Sequence, residues 1–207
     1  MRGKLISFEG CEGSGKSTKL KMLEGYLQEK NIPYLYTREP GGNAVSERIR
    51  SVILDPENTD MTPECEALLY AAARVQLLRR VIEPALAQGK LVVCDRYVDS
   101  SLAYQGEARG LGQEFVRKIN SYAFENYLPD CTVFLDISPE KAFERKHGAD
   151  ENDRIEQAGL AFHNKVYEGY LKIAKEEPNR FIRINAVGTK QETFERVLKV
   201  LQDKGIL

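Results

Sequence analysis

Five short apolar segments recur along the chain, and the stretches between them carry helical spacing. The segments are KLISFEG (4–10), YLYTREPGG (34–42), LVVCDRY (91–97), CTVFLDI (131–137) and RFIRINA (180–186). Runs of this kind are typical of buried strands. Because strands alternate with helical stretches such as 17–30 and 64–89, the pattern predicts right-handed βαβ units, with helices on both faces of a parallel sheet.

The stretch from 138 to 159 fits this alternation less well. It begins as a helix with Pro139 in its first turn and then becomes highly charged. Since its tip has little apolar surface to bury, we expect the tip to be mobile. A better-defined helix follows, because apolar residues three and four positions apart give it one apolar face: Phe162, Val166, Tyr170 and Ile173.

Composition and charge narrow the class of protein. A length of 207 residues fits one domain over 1–207, and a formal charge of −1 gives no overall attraction for nucleic acid or an anionic membrane. No apolar run approaches a signal sequence or a membrane span. The four cysteines lack metal-ligand spacing and read as reduced thiols: Cys11, Cys65, Cys94 and Cys131. We therefore expect a soluble, cytoplasmic protein whose anion sites are local.

One such site is predicted directly behind the first strand. Gly10, Gly15, Lys16 and Ser17 satisfy the pattern G-x-x-x-x-G-K-[ST] between a strand and a helix. Glycines let successive backbone N–H groups point into one concavity, and the helix N-terminus adds its dipole. This glycine loop is expected to hold the phosphates of a nucleotide, with Lys16 facing the β- and γ-phosphates.

A magnesium ion is expected beside those phosphates. The hydroxyl of Ser17 is one candidate ligand. Asp95, which ends the third apolar segment, is the other, since a carboxylate there can hold Mg²⁺ directly or through water.

Two arginines indicate a second phosphate group. Arg38 and Arg96 follow the second and third predicted strands, and ligands of open α/β sheets bind at the carboxyl ends of strands. Guanidinium groups bind phosphate bidentately. A surface ion pair remains the alternative for each arginine alone. The chain contains no N-K-x-D signature, which counts against a GTPase switch.

Helical spacing also suggests a pocket for a base. Tyr70 and Arg74 are four residues apart, as are Ser101 and Gln105, so each pair shares a helix face, with Tyr104 beside the second pair. A stacking ring, a guanidinium, a hydroxyl and an amide suit a pyrimidine. A core-packed tyrosine with solvated polar neighbours is the alternative.

These residues together resemble the thymidylate kinases of the nucleoside monophosphate kinase group, in their bacterial form. The resemblance rests on FEGCEGSGKST, TREPGG, EALLYAAAR, CDRYVDSSLAYQG and DRIEQ, which follow the family's order and spacing over nearly the whole chain. It implies a P-loop NTPase fold, an α/β three-layer sandwich with a five-stranded parallel sheet and a mobile lid at about 141–156. It also implies transfer of the γ-phosphoryl group of ATP to dTMP, with Mg²⁺, in a homodimer.

The resemblance also assigns roles. The ATP loop is implied to comprise Gly10, Cys11, Glu12, Gly13, Ser14, Gly15, Lys16, Ser17 and Thr18. Arg38, Arg96 and Arg48 look like ligands of the dTMP phosphate, Tyr70 like the residue that stacks on thymine, and Arg74, Ser101 and Gln105 like the set that reads it. In the same way, Tyr104 resembles the ring beside the sugar 2′ position and Glu12 the carboxylate that reaches the 3′-hydroxyl.

The source of catalytic charge differs within the family. Some members carry an arginine in the loop where this chain has Gly13, whereas the bacterial type uses basic residues of the lid. Besides Lys16 and Arg96, the catalytic candidates here are therefore Arg145 and Arg154, with Lys146 also in the lid. The long helix around 63–88 and a helix around 111–126 are possible dimer interface elements.

Two rival functions remain at this point. One is a kinase of the same fold that acts on dUMP, dCMP or a deoxynucleoside, although a nucleoside offers no phosphate to Arg38 and Arg96. The other is a nucleotide-dependent switch or assembly ATPase. The switch would hydrolyse ATP slowly without an acceptor.

Overall fold

The predicted parallel sheet is present in the computed structural model, which describes residues 2–146 and 153–207. Its strands are β1 (Leu5–Glu9), β2 (Tyr34–Arg38), β3 (Leu91–Asp95), β4 (Cys131–Asp136) and β5 (Phe181–Asn185). They pair in parallel in the order β2-β3-β1-β4-β5. All five apolar segments therefore contain a strand, and the α/β class is confirmed.

Burial on both faces explains why β1 reads as an apolar run. Ile6 and Phe8 pack on one face with Leu23, whereas Leu5 packs on the other with Leu77. Side chains alternate between the faces of a strand, so a sheet covered on both sides needs apolar residues at successive positions.

The helices fill the connections between strands. In the described residues they are α1 (Lys16–Glu29), α2 (Ala44–Leu54), α3 (Pro63–Leu77), α4 (Glu83–Ala87), α5 (Val98–Ser101), α6 (Gln113–Ile119), α7 (Ser121–Asn126), α8 (Pro139–Lys146), α9 (Gly159–Glu176) and α10 (Lys190–Asp203). None of these helices is both long and apolar enough to cross a membrane.

Two predicted helices are not continuous. The stretch 64–89 is α3 and α4 joined by a π-helical turn at Leu78–Ile82, and a second π-helical turn at Leu102–Ala108 follows α5. The predicted helix at 111–126 is wrong as a single element, because α6 and α7 are separated at Asn120. The amide nitrogen of Asn120 donates to the carbonyl oxygen of Val116, and its amide oxygen accepts from Arg74.

The strand register brings three of the predicted functional segments together. Phe8 in β1 and Arg38 in β2 both lie opposite Asp95 in β3. The carboxyl ends of these strands, and the loops that leave them, therefore meet at one edge of the sheet. Of the expected lid, the structure describes α8 and residues from 153 onward, while 147–152 lie outside the described residues.

Candidate active site

A cleft of about 420 Å³ opens at this edge of the sheet. Its walls come from the glycine loop, the loop after β2, α2, α3, the segment after β3 and the residues after 152. Most of the predicted site residues line it: Glu12, Gly13, Gly15, Lys16, Ser17, Thr18, Arg38, Tyr70, Arg74, Asp95, Arg96, Tyr104 and Gln105. One cavity thus contains three features that were predicted separately from the sequence: the phosphate-binding motif, the two arginines and the base pocket.

The glycine loop curls around the ammonium group of Lys16. Lys16 Nζ donates to the carbonyl oxygens of Gly10 at 2.9 Å and Cys11 at 3.2 Å. Gly10 and Gly15 have φ values of 147° and 90°, in the region that glycine adopts without steric cost. Burial lowers the pKa of Lys16. Cys11 and Ser14 are buried and do not line the cleft.

Gly13 occupies the tightest position in the loop. Its φ is 76°, and a Cβ at this position would stand 2.2 Å from the backbone oxygen of Ala142 in α8. An arginine here would therefore need α8 to move. The packing of α8 explains why this chain has glycine at that position.

Asp95 and Ser17 suit a magnesium ion. Both line the cleft, and the Oδ1 atom of Asp95 is buried with no hydrogen-bond partner in the described part of the chain. Mg²⁺ typically takes one or two protein oxygen ligands together with substrate phosphates and water. One carboxylate and one hydroxyl beside a phosphate loop match that donor set.

Arg96 is the most constrained of the cleft arginines. It directly follows β3 with a φ of 62°, which is uncommon for a residue with a side chain. Its guanidinium donates to Glu12 at 2.5 Å and to Tyr170 at 3.2 Å, and lies 5.2 Å from the ring centre of Tyr104. Glu12 thus contacts the arginine that the sequence assigned to a phosphate.

Glu9, a residue that sequence reasoning missed, supports this arrangement. Its carboxylate accepts from the backbone N–H of Tyr97 at 2.8 Å, from Ser100 at 2.6 Å and from Tyr170 at 2.8 Å. Burial, with the nearby charge of Asp99, raises the pKa of Glu9 to about 7. The available signal was an acid in the last position of a fully buried strand, directly before the glycine loop.

The predicted third phosphate ligand, Arg48, does not lie in the cleft wall, whereas a neighbouring arginine does. Arg48 is exposed and does not line the cleft, whereas Arg50 lines it and donates to the carbonyl oxygen of Pro40 at 2.9 Å. Both belong to α2, but two residues along a helix correspond to opposite sides. Arg38 lines the cleft and pairs with Glu47 at 3.0 Å.

Arg74 is held rigidly at the far end of the cleft. Only 1% of its surface is exposed, and it donates to Glu39 at 2.7 Å, to Asn120 at 2.5 Å and to Ser101 at 3.0 Å. Burial raises the pKa of Glu39 to about 7 despite this ion pair. Ser101 does not line the cleft, so in this structure its hydroxyl positions Arg74.

Gln105 and Tyr70 complete the far end. The amide nitrogen of Gln105 donates to Glu66 at 2.9 Å, which leaves its carbonyl oxygen as the group available to a ligand. Tyr70 lines the cleft through a partly buried ring. Burial, with the nearby charge of Glu66, raises the pKa of the Tyr70 hydroxyl.

The two predicted lid arginines lie on different sides of the site. Arg154 donates to Glu66 at 2.5 Å and to the carbonyl oxygen of Ile53 at 3.1 Å. Arg145 donates to the carbonyl oxygen of Ala186 at 3.1 Å. Neither lines the cleft, and the side chain of Lys146 lies outside the described residues. From the lid, Asp153 and Ile155 line the cleft instead.

Comparison with known proteins extends this picture. A family model described as "Thymidylate kinase" matches residues 8–197. The chain is 50% identical over 198 residues to the thymidylate kinase of Clostridium novyi (strain NT), a match that covers 95% of this chain and 97% of the relative. It is 48% identical over 207 residues to that of Lactobacillus acidophilus (strain ATCC 700396 / NCK56 / N2 / NCFM), covering 99% and 96%. For that of Geobacillus sp. (strain WCH70), identity is 47%, covering 99% and 98%.

Proposed function

The chain belongs to the thymidylate kinase family, and we propose that its cleft binds dTMP facing an ATP held by the glycine loop. The reaction is transfer of the γ-phosphoryl group of ATP to dTMP, giving ADP and dTDP for dTTP synthesis. One observation carries the residue-level proposal. The glycine loop, two arginines at strand ends and a tyrosine–arginine–glutamine group line a single cavity.

The phosphate of dTMP is assigned to Arg38, Arg96 and Arg50. All three line the cleft, and Arg38 and Arg96 leave neighbouring strands. Each guanidinium offers several N–H donors in a fork that matches phosphate oxygens. Arg50 takes the place that the sequence gave to Arg48.

Thymine is assigned to the far end of the cleft. Tyr70 supplies a ring for stacking, Arg74 donates toward a carbonyl of the base, and the oxygen of Gln105 accepts from the ring N–H. Ser101 acts through Arg74. Tyr104 is proposed to crowd the sugar 2′ position, and Glu12 to accept a hydrogen bond from the 3′-hydroxyl.

Catalysis is proposed to come from positioning and charge neutralisation. The acceptor phosphate is already ionised at neutral pH, so no strong general base is required. Lys16 and Arg96 stabilise the negative charge of the phosphoryl group as it passes from ATP to dTMP. Their positions would also hold the two nucleotides in the geometry required for transfer. When bound, Mg²⁺ would neutralise part of the phosphate charge, and Asp95 and Ser17 are the residues that would hold it.

Arg145 and Arg154 remain candidates for lid catalysis. Arg145 contacts Ala186 in the loop 185–189, and this loop together with Arg145 is proposed to bind the adenine. For Arg154 to reach a transferring phosphoryl group, its ion pair with Glu66 must open. Closure of the lid would exclude water that otherwise hydrolyses ATP.

The wider setting is also proposed. The chain is expected to act in the cytoplasm as one P-loop domain over 1–207 and as a homodimer. Its substrates are nucleotides, with no nucleic acid or membrane partner. The predicted interface elements are the long helix at 63–88, now α3 with α4, and the 111–126 region, now α6 and α7.

A coupled ADP-release assay with ATP and Mg²⁺ tests the base assignments. Each acceptor is supplied in turn: dTMP, dUMP, dCMP, UMP, AMP and GMP. Strong preference for dTMP is expected. Turnover of a different monophosphate in preference to dTMP would contradict the roles given to Tyr70, Arg74 and Gln105, and ATP hydrolysis without any acceptor would favour the switch class.

A further inference from the structure

Lys19 is a buried cation to which none of the roles above applies. It lies in α1, three residues after Lys16, with 4% of its surface exposed. Within residues 2–146 and 153–207, its ammonium group makes no hydrogen bond and no ion pair. The next buried residues of α1, Leu20, Leu23 and Leu27, are apolar, so the lysine is exceptional on this helix face.

The ammonium group is directed toward the end of the glycine loop. Lys19 Nζ lies 3.7 Å from the point that a Cβ on Gly15 would occupy. Lys16 Nζ, by contrast, contacts the carbonyl oxygens of Gly10 and Cys11 at the start of the loop. The two lysines therefore serve opposite ends of the same loop.

The neighbouring charges at this end are also positive. Burial lowers the pKa of Lys19, and the charges of Arg145 and Lys190 lower it further. Arg145 comes from α8 and contacts the backbone of Ala186, while Lys190 is the first residue of α10, which follows the same loop. Cations from three separate elements are thus close enough to repel one another.

Such an arrangement costs free energy in the ligand-free protein. Burial of the Lys19 side chain disfavours the charged form of its ammonium group, and like charges add repulsion. A leucine or methionine would pack at this position without that cost. Persistent destabilisation of this kind is typical of a binding site whose missing partner is a ligand.

We propose that Lys19 binds a phosphate oxygen of the donor nucleotide at the Gly15 end of the glycine loop. This inference rests on the proposed function in one respect, namely that the loop holds a nucleoside triphosphate. A phosphate there would supply the negative charge that Lys19, Arg145 and Lys190 share. Lys19 would then add donor affinity, on the side of the loop that faces Ala186, beyond that from Lys16.

Calorimetric titration of the full chain with ADP, and separately with inorganic tripolyphosphate, both with Mg²⁺, tests the assignment. Lys19→Met keeps the side-chain length and removes the charge. We expect it to weaken the binding of both probes by about tenfold or more, since a charge-assisted hydrogen bond is lost. Lys21→Met is the matched control, because Lys21 is exposed on the same helix, and it should change neither affinity. Lys19→Arg should retain more affinity than Lys19→Met.

A second measurement separates a binding role from a packing role. Without nucleotide, Lys19→Met should raise the urea midpoint of unfolding, because a buried unpaired charge has been removed. If Lys19→Met does not fold, the same titrations are carried out with Lys19→Gln, which also removes the charge.

Unchanged tripolyphosphate affinity in a folded variant would overturn the proposal. If only ADP binding weakened, Lys19 would contact the nucleoside instead of a phosphate, and the inference would be wrong. Since the titrations require no turnover, their result is independent of whether dTMP is the acceptor. A chain inactive on dTMP that still loses both affinities in Lys19→Met would contradict the proposed function and support this inference.

Discussion

The two ends of the cleft differ in how their cations are held. At the base end, Arg74 is 1% exposed and has protein acceptors for its guanidinium in Glu39, Asn120 and Ser101. At the phosphate end, half of the Arg38 side chain is exposed, and its ion pair is with Glu47 at the surface. The base end is therefore fixed before any ligand arrives, while Arg38 at the phosphate end can still rearrange around one.

The difference has a physical reason. Discrimination between bases depends on buried polar groups whose positions do not adapt, because a mismatched base then leaves them unpaired. Phosphate binding depends mainly on charge, which tolerates movement. Substitutions at the base end should accordingly affect both stability and specificity, and those of Arg38 should affect kinetics alone.

The largest effect is expected from Arg74→Met. It leaves Glu39 buried without its ion-pair partner, which typically costs about 3–5 kcal/mol of unfolding free energy. The kcat/KM for dTMP should fall by roughly 100-fold or more, because a buried donor to the base is lost. Urea unfolding and steady-state kinetics measure the two effects.

The double variant Arg74→Met with Glu39→Gln is the control. It removes both charges, so most of the stability should return while the activity should not. If stability stayed as low as in Arg74→Met, the buried ion pair would not be the cause of the loss.

Arg154→Ala decides between two roles for a lid residue that contacts the base end. If Arg154 is a catalytic cation, its loss should lower kcat by as much as ~10³-fold and should raise the KM for dTMP far less. If Arg154 instead only holds Glu66 in place, its loss should raise the KM for dTMP and leave kcat nearly constant, because Glu66 also binds Gln105. We expect the kcat effect, and steady-state kinetics measure both constants.

Glu66→Gln is the comparison for this experiment. It weakens the anchor and retains the arginine, so it should raise the KM for dTMP and leave kcat close to that of the original chain. An unchanged kcat in Arg154→Ala would contradict the proposed catalytic role of Arg154.

Arg50→Ala and Arg48→Ala form a matched pair on α2. Arg50 lines the cleft, and its loss should raise the KM for dTMP by about tenfold, as expected for one charge-assisted contact. Arg48 is exposed, and its loss should leave the KM within about twofold. Equal effects from the two variants would show that the phosphate end reads overall charge and not the placement of Arg50.

Stability is also expected to depend on pH. Glu9 and Glu39 have ordinary pKa values of 4.5 that burial raises to about 7 in the folded chain. Between these values the folded protein keeps protons that the unfolded chain has released, so stability falls as pH rises from 4.5 to about 7. Urea unfolding across that range measures the loss, and the direction of both pKa shifts fixes its sign.

Glu39→Gln should make this pH profile shallower, because it removes one of the two carboxyl groups. A variant profile as steep as that of the unchanged chain would exclude Glu39 as a source of the effect. The same experiment on Lys21→Met gives the baseline for an exposed residue.

Local patterns predicted the framework but not the contacts that orient it. The strands follow from apolar runs, and the glycine loop from a motif with its strand and helix context. Arg74 was found from its spacing to Tyr70. Its partners Glu39 and Asn120 lie 35 and 46 residues away in sequence, and no local rule connects them.

The position of Arg48 outside the cleft wall depends on the orientation of α2. Arg48 and Arg50 are two positions apart in α2 and therefore point to opposite sides of the helix. Which of them enters the cleft depends on how the helix is rotated about its axis. Ile53 is fully buried, and Arg50 precedes it by three positions, so the two share a face. That spacing was present in the sequence. The roles of Glu9 and Glu66 were harder to recognise, because they depend on contacts with residues that are distant in the sequence.

The contact between Gln105 and Glu66 has a consequence for dCMP. Because its amide nitrogen donates to Glu66, Gln105 would offer its oxygen to the proposed base. The ring edge of thymine presents a hydrogen there, whereas the corresponding nitrogen of cytosine presents a lone pair. Two lone pairs would then face each other in a space too dry to solvate either. In the proposed binding mode, the pocket would thus distinguish pyrimidines by the polarity of one ring atom, through a carboxylate that need not touch the base.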